Sequence, residues 1–149
     1  ELMDTVRSKI ASQVERAGFA LNLDCPEDCV EKKIEVDQDY FTQIIINLVD
    51  NAIKFSAKAE RRAIDIACRF LRDNTVVFTV RDYGPGIPKD QLKKIFKLFY
   101  RSESELTRET VGTGIGLALV NQLATAMRGK VDVVNVEPGV EFRVSFVSE

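Results

Sequence analysis

Apolar residues over the first seventeen positions fall at Leu2, Met3, Val6, Ile10, Val14 and Ala17, with charged side chains between them. That spacing predicts an amphipathic helix over residues 2–17, ended by Gly18. Phe19, Leu21 and Leu23 then alternate with polar residues as in a half-buried strand. After a turn at Cys25–Val30, containing Pro26, the segment Lys33–Val36 alternates again. Asp37 is placed to cap a longer helix, about Gln38–Phe55, whose buried face carries Phe41, Ile44, Ile45, Leu48, Val49 and Ala52. Asn47, Asn51 and Lys54 form a polar stripe bordering that face.

Ala63–Phe70 and Thr75–Val80 read as two strands around a turn at Asp73-Asn74, and Arg81–Ile87 is a glycine-rich break directly after them. Lys89–Tyr100 has helical periodicity, and Ser102–Val111 is polar and charged. Gly112–Gly116 opens a helix running to about Met127 and ended by Gly129. Val131–Val136 and Val140–Val147 close the chain as a hairpin around Glu137-Pro138-Gly139. This order predicts a two-layer α/β sandwich, with helices packed on one side of a mixed, mostly antiparallel sheet. No internal repeat or linker interrupts it, and 149 residues suit a single domain over 1–149.

Composition narrows the chemistry. Histidine is absent, so this chain cannot itself use imidazole as base, nucleophile, metal ligand or phosphoacceptor. Ser-His-Asp hydrolases and Cys-His proteases are excluded, and with them most zinc hydrolases. The net charge of −2 gives no global signal for nucleic acid. Cys25, Cys29 and Cys68 are too few for a tetrahedral zinc site and read as reduced cytoplasmic thiols. The uncharged stretch Val111–Met127 is too polar and glycine-broken to span a bilayer, so no membrane contact is expected of this piece. The chain opens on Glu1 rather than Met, which suggests a piece of a longer protein and leaves a membrane anchor in the parent open.

Four local patterns carry candidate chemistry. Gly112, Gly114 and Gly116 with a following helix can cradle phosphate, although the run is neither a dinucleotide fingerprint nor a Walker A loop. Asp82, with Gly84 and Gly86 beyond it, offers a carboxylate acceptor and backbone that a flat ring can approach; the same pattern also suits a plain strand-to-loop turn. Asn47 and Asn51 can ligate Mg²⁺ and Lys54 can meet phosphate, or the three can form a solvated face. Phe96 and Phe99, followed by Tyr100 and Arg101, suit either core packing or the latch of a movable lid.

In this order and spacing the four patterns resemble the boxes of the GHKL ATP-binding superfamily, and more narrowly the catalytic ATP-binding domain of sensor histidine kinases. Asn47–Ser56 looks like the N box, Asp82–Ile87 the G1 box, Phe96–Arg101 the F box and Gly112–Leu119 the G2 box. The resemblance covers essentially the whole chain. It implies a Bergerat fold with a flexible ATP lid at about Pro88–Val111 and residues 1–17 as first helix or link from an upstream domain. It also implies ATP and Mg²⁺ as ligands. Asn51 would ligate Mg²⁺ with Asn47 beside it, Lys54 would contact phosphate and Arg101 would reach the γ-phosphate. Asp82 would accept from the adenine amino group, Gly86 and Ile87 would line the adenine pocket, Gly84 would also belong to the nucleotide site, and Phe96 and Phe99 would belong to the lid. Gly112, Thr113, Gly114, Gly116 and Leu117 would shape the phosphate loop.

The partners it implies are a His-bearing dimerisation domain upstream in the same protein and, through the parent kinase, a response regulator. The implied location is cytoplasmic. Alternative readings are an anti-sigma-factor-type Ser/Thr kinase, another GHKL ATPase, and a non-catalytic interaction module of the same fold. The gyrase and chaperone branch usually carries a catalytic Glu early in the N-box helix. Here Tyr40, Gln43 and Asn47 occupy that stripe, with Asp50 at its edge.

Overall fold

The computed structural model describes residues 2–24, 38–71, 74–90, 92 and 116–147. Helix α1 spans Leu2–Arg16, strand β1 Ala20–Asp24 and helix α2 Gln38–Phe55. Strands β2 (Ala63–Phe70) and β3 (Thr75–Arg81) follow. Helix α3 covers Gly116–Ala126, and strands β4 (Lys130–Asn135) and β5 (Val140–Val147) end the described chain. The sheet order is β1-β2-β3-β5-β4, with β1 parallel to β2 and every other pair antiparallel. This is the mixed, mostly antiparallel two-layer sandwich expected of a Bergerat fold. The anticipated strand at Lys33–Val36, the Asp37 cap, the cysteines at 25 and 29, the helix at Lys89–Tyr100 and the lid lie outside the described residues, apart from 88–90 and 92.

Strand alternation decides which sheet face is covered. Ile64, Ile66 and Cys68 of β2, Val76, Phe78 and Val80 of β3, and Phe142, Val144 and Phe146 of β5 all point to the helices and are buried. Phe41 meets Phe78 edge-on at 4.7 Å between centroids, and Phe55 stacks on Phe142 at 6.5 Å. Helix α2 is the central helix and touches both α1 and α3. Its buried row is the one its periodicity predicts: Phe41, Ile44, Ile45, Leu48, Val49 and Ala52. α1 joins the same core through Ile10 and Val14, and its Gln13 Nε2 donates to the Ile46 carbonyl at 3.4 Å. The far face of the sheet is polar: Asn22 bonds Asp65 at 2.8 Å, Arg69 pairs with Asp24 and Arg143 with Glu141, each at 3.0 Å.

One boundary differs instructively from the sequence expectation. The alternation predicts that Phe19 opens the first strand, but it belongs to the cap of α1. Its amide donates to Val14 O at 3.1 Å and that of Gly18, at φ 80°, donates to Glu15 O at 3.0 Å. The left-handed glycine lets the chain fold back on the last helical carbonyls, so the strand starts one residue later. α3 ends the same way, with Gly129 N bonding Ala124 O at 2.7 Å and Arg128 taking the left-handed position at φ 61°.

Candidate nucleotide site

Two mid-helix asparagines need a physical reason, and α2 supplies one. Asn47 Nδ2 donates to Gln43 O at 2.8 Å, and Asn51 Nδ2 donates to Asn47 O at 2.9 Å. Each amide nitrogen is thus committed to the carbonyl one turn back, which leaves each Oδ1 as the acceptor the side chain can offer to a ligand or metal. Lys54, one turn after Asp50, pairs with it at 2.9 Å in a partly exposed contact. A phosphate contacting Lys54 would share its ammonium with Asp50, and that pairing also occupies the one carboxylate on the edge of the stripe.

Asp82 follows the last residue of β3 and is fully buried. Its backbone amide continues the ladder to Val140 O at 3.0 Å. Its Oδ1 accepts from Gly84 N at 2.9 Å and from Val140 N at 3.3 Å. Its Oδ2 is buried with no hydrogen-bond partner among the described residues. Burial raises the carboxyl from 3.8 to about 6, opposed by the bonds from Gly84 and Val140 and by the Arg81 charge. A buried carboxylate oxygen left unpaired is costly unless a donor arrives.

The loop carrying Asp82 is fastened to α2. A Cβ at Gly84 would stand 2.6 Å from Phe55 O and 3.0 Å from Ser56 Cα, so only glycine lets this loop lie on the last turn of the helix. Phe55 is one turn beyond Asn51, and the buried Ser56 hydroxyl bonds Ala52 O at 2.6 Å. The carboxylate and the end of the Asn-Lys stripe are therefore neighbours across the Gly84 contact.

Gly86 adopts φ 88°, and its Cβ direction faces Asn135 rather than open space. Ile87 is buried against the core. Gly116 is the first residue of α3, and Leu117 is packed in the core with Val120 and Ala124. Phe96, Phe99, Arg101, Gly112, Thr113 and Gly114 lie outside the described residues.

Sequence patterns did not single out Asn135, Gly139, Tyr83 or Asp65 for this site. Asn135 bonds the backbone of Ile87, and Gly139 lies against the Asp82 carbonyl. Tyr83 donates its hydroxyl to Asp65 Oδ2, which raises the phenol pKa, and the guanidinium groups of Arg61 and Arg81 stack on its ring at 4.1 and 4.4 Å from the centroid. Arg81 also donates to Pro138 O at 3.0 Å.

The family model of histidine kinase-, DNA gyrase B- and HSP90-like ATPases matches residues 36–148. The chain belongs to that family. Its relatives place it among the catalytic ATP-binding domains of sensor histidine kinases. It is 34% identical over 146 residues to the non-motile and phage-resistance protein of Caulobacter vibrioides, covering 96% of this chain and 16% of the relative. It is 34% identical over 104 residues to the sensor histidine kinase WalK of Bacillus subtilis, covering 70% of this chain and 17% of WalK. The chain thus spans about a sixth of the length of these relatives. Among solved structures, the nucleotide-free catalytic domain of histidine kinase ThkA superposes with TM-score 0.78 at 27% identity, covering 98% of this chain and 91% of that one. Full-length ShkA in complex with AMPPNP superposes with TM-score 0.78 at 26% identity, covering 99% of this chain and 30% of ShkA. Among the described residues, no helix is long and apolar enough to cross a membrane.

Proposed function

We propose that this chain, as one domain over 1–149, binds Mg²⁺–ATP and delivers the γ-phosphoryl group to a histidine on a dimerisation domain upstream in the same protein, on the cytoplasmic side. The observation that carries this is the buried Asp82 Oδ2 without a partner, in a loop seated on the end of the Asn47-Asn51-Lys54 helix. An adenine amino group has the N–H donor that this oxygen lacks. The relatedness to ShkA, solved with AMPPNP, supports a nucleotide as the occupant. In this reading Gly84, Gly86 and Ile87 form the base end of the pocket. The Oδ1 of Asn51, left free by its Nδ2 bond to Asn47 O, with Asn47 one turn away, would hold Mg²⁺, which when bound would supply positive charge against the phosphates. Lys54 and Arg101 would meet phosphate, Gly112, Thr113, Gly114 and Gly116 would wrap it, and Leu117 anchors the start of α3. Phe96 and Phe99 would belong to the lid. The phosphorylated domain would then serve a response regulator.

Phosphoryl transfer asks the protein mainly for position and positive charge, and this chain offers both without a nucleophile of its own. Asp50 is paired with Lys54, which disfavours it as a base for self-contained hydrolysis. A buried carboxylate oxygen without a partner, Asp82 Oδ2, is hard to account for in a non-catalytic module.

Incubation with γ-labelled ATP is expected to leave the isolated chain unlabelled and to place acid-labile phosphate on a His-bearing helical domain supplied from the parent protein. Acid-labile label on the isolated chain would overturn this, and acid-stable label on a partner serine would select the Ser/Thr kinase reading. Asn51→Ala is expected to weaken Mg²⁺–ADP about tenfold, as loss of a charge-assisted contact predicts, while leaving metal-free ADP unchanged. Calorimetry with and without Mg²⁺ checks this, and equal losses would remove Asn51 from the metal.

A further inference from the structure

Asn135 is a polar residue at the end of a strand, where a turn-flanking role would suffice. Its carboxamide does something more specific. Oδ1 accepts from Ile87 N at 2.9 Å, and Nδ2 donates to Ile87 O at 2.8 Å. One side chain thus makes for Ile87 the two bonds that a neighbouring β-strand would make.

The residue paired with Asn135 across the hairpin is Val140, whose amide and carbonyl bond Oδ1 and the amide of Asp82. A single rung of the β4–β5 hairpin therefore holds both ends of the loop Asp82–Ile87. Gly86 fits this arrangement, because a Cβ there would stand 2.9 Å from Asn135 Oδ1.

Resting on the nucleotide reading above, we propose that Asn135 is a positioning residue for adenine recognition. It touches no nucleotide. It acts through the backbone of Ile87, fixing the pocket wall at Gly86-Ile87 relative to Asp82 Oδ2. An adenine ring must meet that oxygen and that wall together, so the distance between them sets the affinity for the base. Asn135 has no bearing on the phosphates, which meet α2.

The test compares wild type, Asn135→Ala and Asn135→Asp by calorimetry with ADP, in the presence and absence of Mg²⁺, together with amide exchange at Ile87 and Val144. Loss of two hydrogen bonds of ordinary strength predicts about five- to thirtyfold weaker ADP binding for Asn135→Ala, by the same factor with and without Mg²⁺. Ile87 should exchange at least tenfold faster while Val144 in the sheet stays protected. Asn135→Asp keeps the acceptor for Ile87 N–H but turns a carboxylate oxygen toward the Ile87 carbonyl, so it should bind no better than the alanine variant.

ADP affinity within twofold of wild type despite fast Ile87 exchange would overturn the proposal. So would a loss confined to Mg²⁺–ADP, or a loss accompanied by equally fast exchange at Val144. A wild-type chain that binds no ADP would overturn the nucleotide reading and this proposal with it, whereas wild-type binding with an indifferent Asn135 overturns this proposal alone.

Discussion

Asp82→Asn should lose nucleotide and gain stability at the same time. The amide oxygen can still accept from Gly84 N and Val140 N, as Oδ1 of the aspartate does at 2.9 and 3.3 Å. The amide nitrogen then stands where the unpartnered Oδ2 stood, presenting a donor to the donor of adenine. Loss of a charge-assisted hydrogen bond is worth about 1.5–3 kcal/mol, so ADP affinity should fall about ten- to a hundredfold. The unliganded protein, relieved of a buried carboxylate, should melt higher than wild type at pH 8.

The sign of the pH dependence follows from burial. The Asp82 carboxyl titrates at about 6 in the fold against 3.8 ordinarily, so the folded chain holds this proton more tightly than the unfolded one. Its contribution to stability is complete below about pH 4 and is lost as pH rises through 6, an effect on the order of 3 kcal/mol. The stability advantage of Asp82→Asn should therefore shrink toward pH 4. Nucleotide binding runs the other way, because Oδ1 already accepts two N–H bonds and protonation therefore falls on Oδ2, setting an O–H donor against the donor of the amino group. Wild-type ADP affinity should drop by up to about tenfold per pH unit below 6, beyond whatever slope the phosphates impose. Asp82→Asn should show the phosphate slope alone. Identical slopes in the two proteins, or binding within twofold at pH 8, would remove Asp82 from the base. Chemical denaturation and calorimetry across pH 4–8 make both comparisons.

The legible parts of this molecule are those where one residue's role is settled by its near neighbours in sequence. The bounds of α2 follow from six apolar positions at helical spacing, and the Asn47-Asn51-Lys54 stripe shows because asparagine is a poor residue for a helix interior. Asp82 is visible because it ends an alternating strand and is followed by two glycines. The missed residues act across distance. Asn135 meets a residue 48 positions away, and Val140 reaches Asp82 across 58. Nothing around Asn135 distinguishes it from an exposed strand end, since the contact exists only once the last hairpin lies beside β3. Asp65 likewise reads as one more outward polar position of β2 until the Tyr83 hydroxyl is found on it. Phe19 misleads for the opposite reason: its side chain alternates with Leu21 and Leu23, while its amide is spent on the cap of α1.

Gly139 is expected to be the costliest single position to change in the described site. In sequence it is the glycine of a Pro-Gly turn, where many residues are tolerated. In the fold it has φ 105°, and a Cβ there would fall well inside contact distance of the Asp82 carbonyl oxygen and 3.0 Å from Asp82 Oδ1. The obstacle is backbone already bonded to Val140, so it cannot turn aside as a flexible side chain would. Left-handed strain of about 1–2 kcal/mol and forced backbone displacement of about 1–3 kcal/mol act together. Gly139→Ala should therefore lower the unfolding free energy by about 2–5 kcal/mol, a large share of what a domain of this size possesses. The displacement also moves the carboxylate proposed to meet adenine, so ADP binding should fall at least tenfold even at temperatures where the variant is folded. Gly129→Ala is the matched control. Its Cβ would meet the Phe146 ring at 2.5 Å and Ser145 O at 2.8 Å, at the opposite end of the hairpin from Asp82. It should destabilise through the core and leave the ADP affinity of the folded fraction within about twofold of wild type. If both variants lost nucleotide in proportion to their loss of stability, the glycine at 139 would serve the hairpin alone.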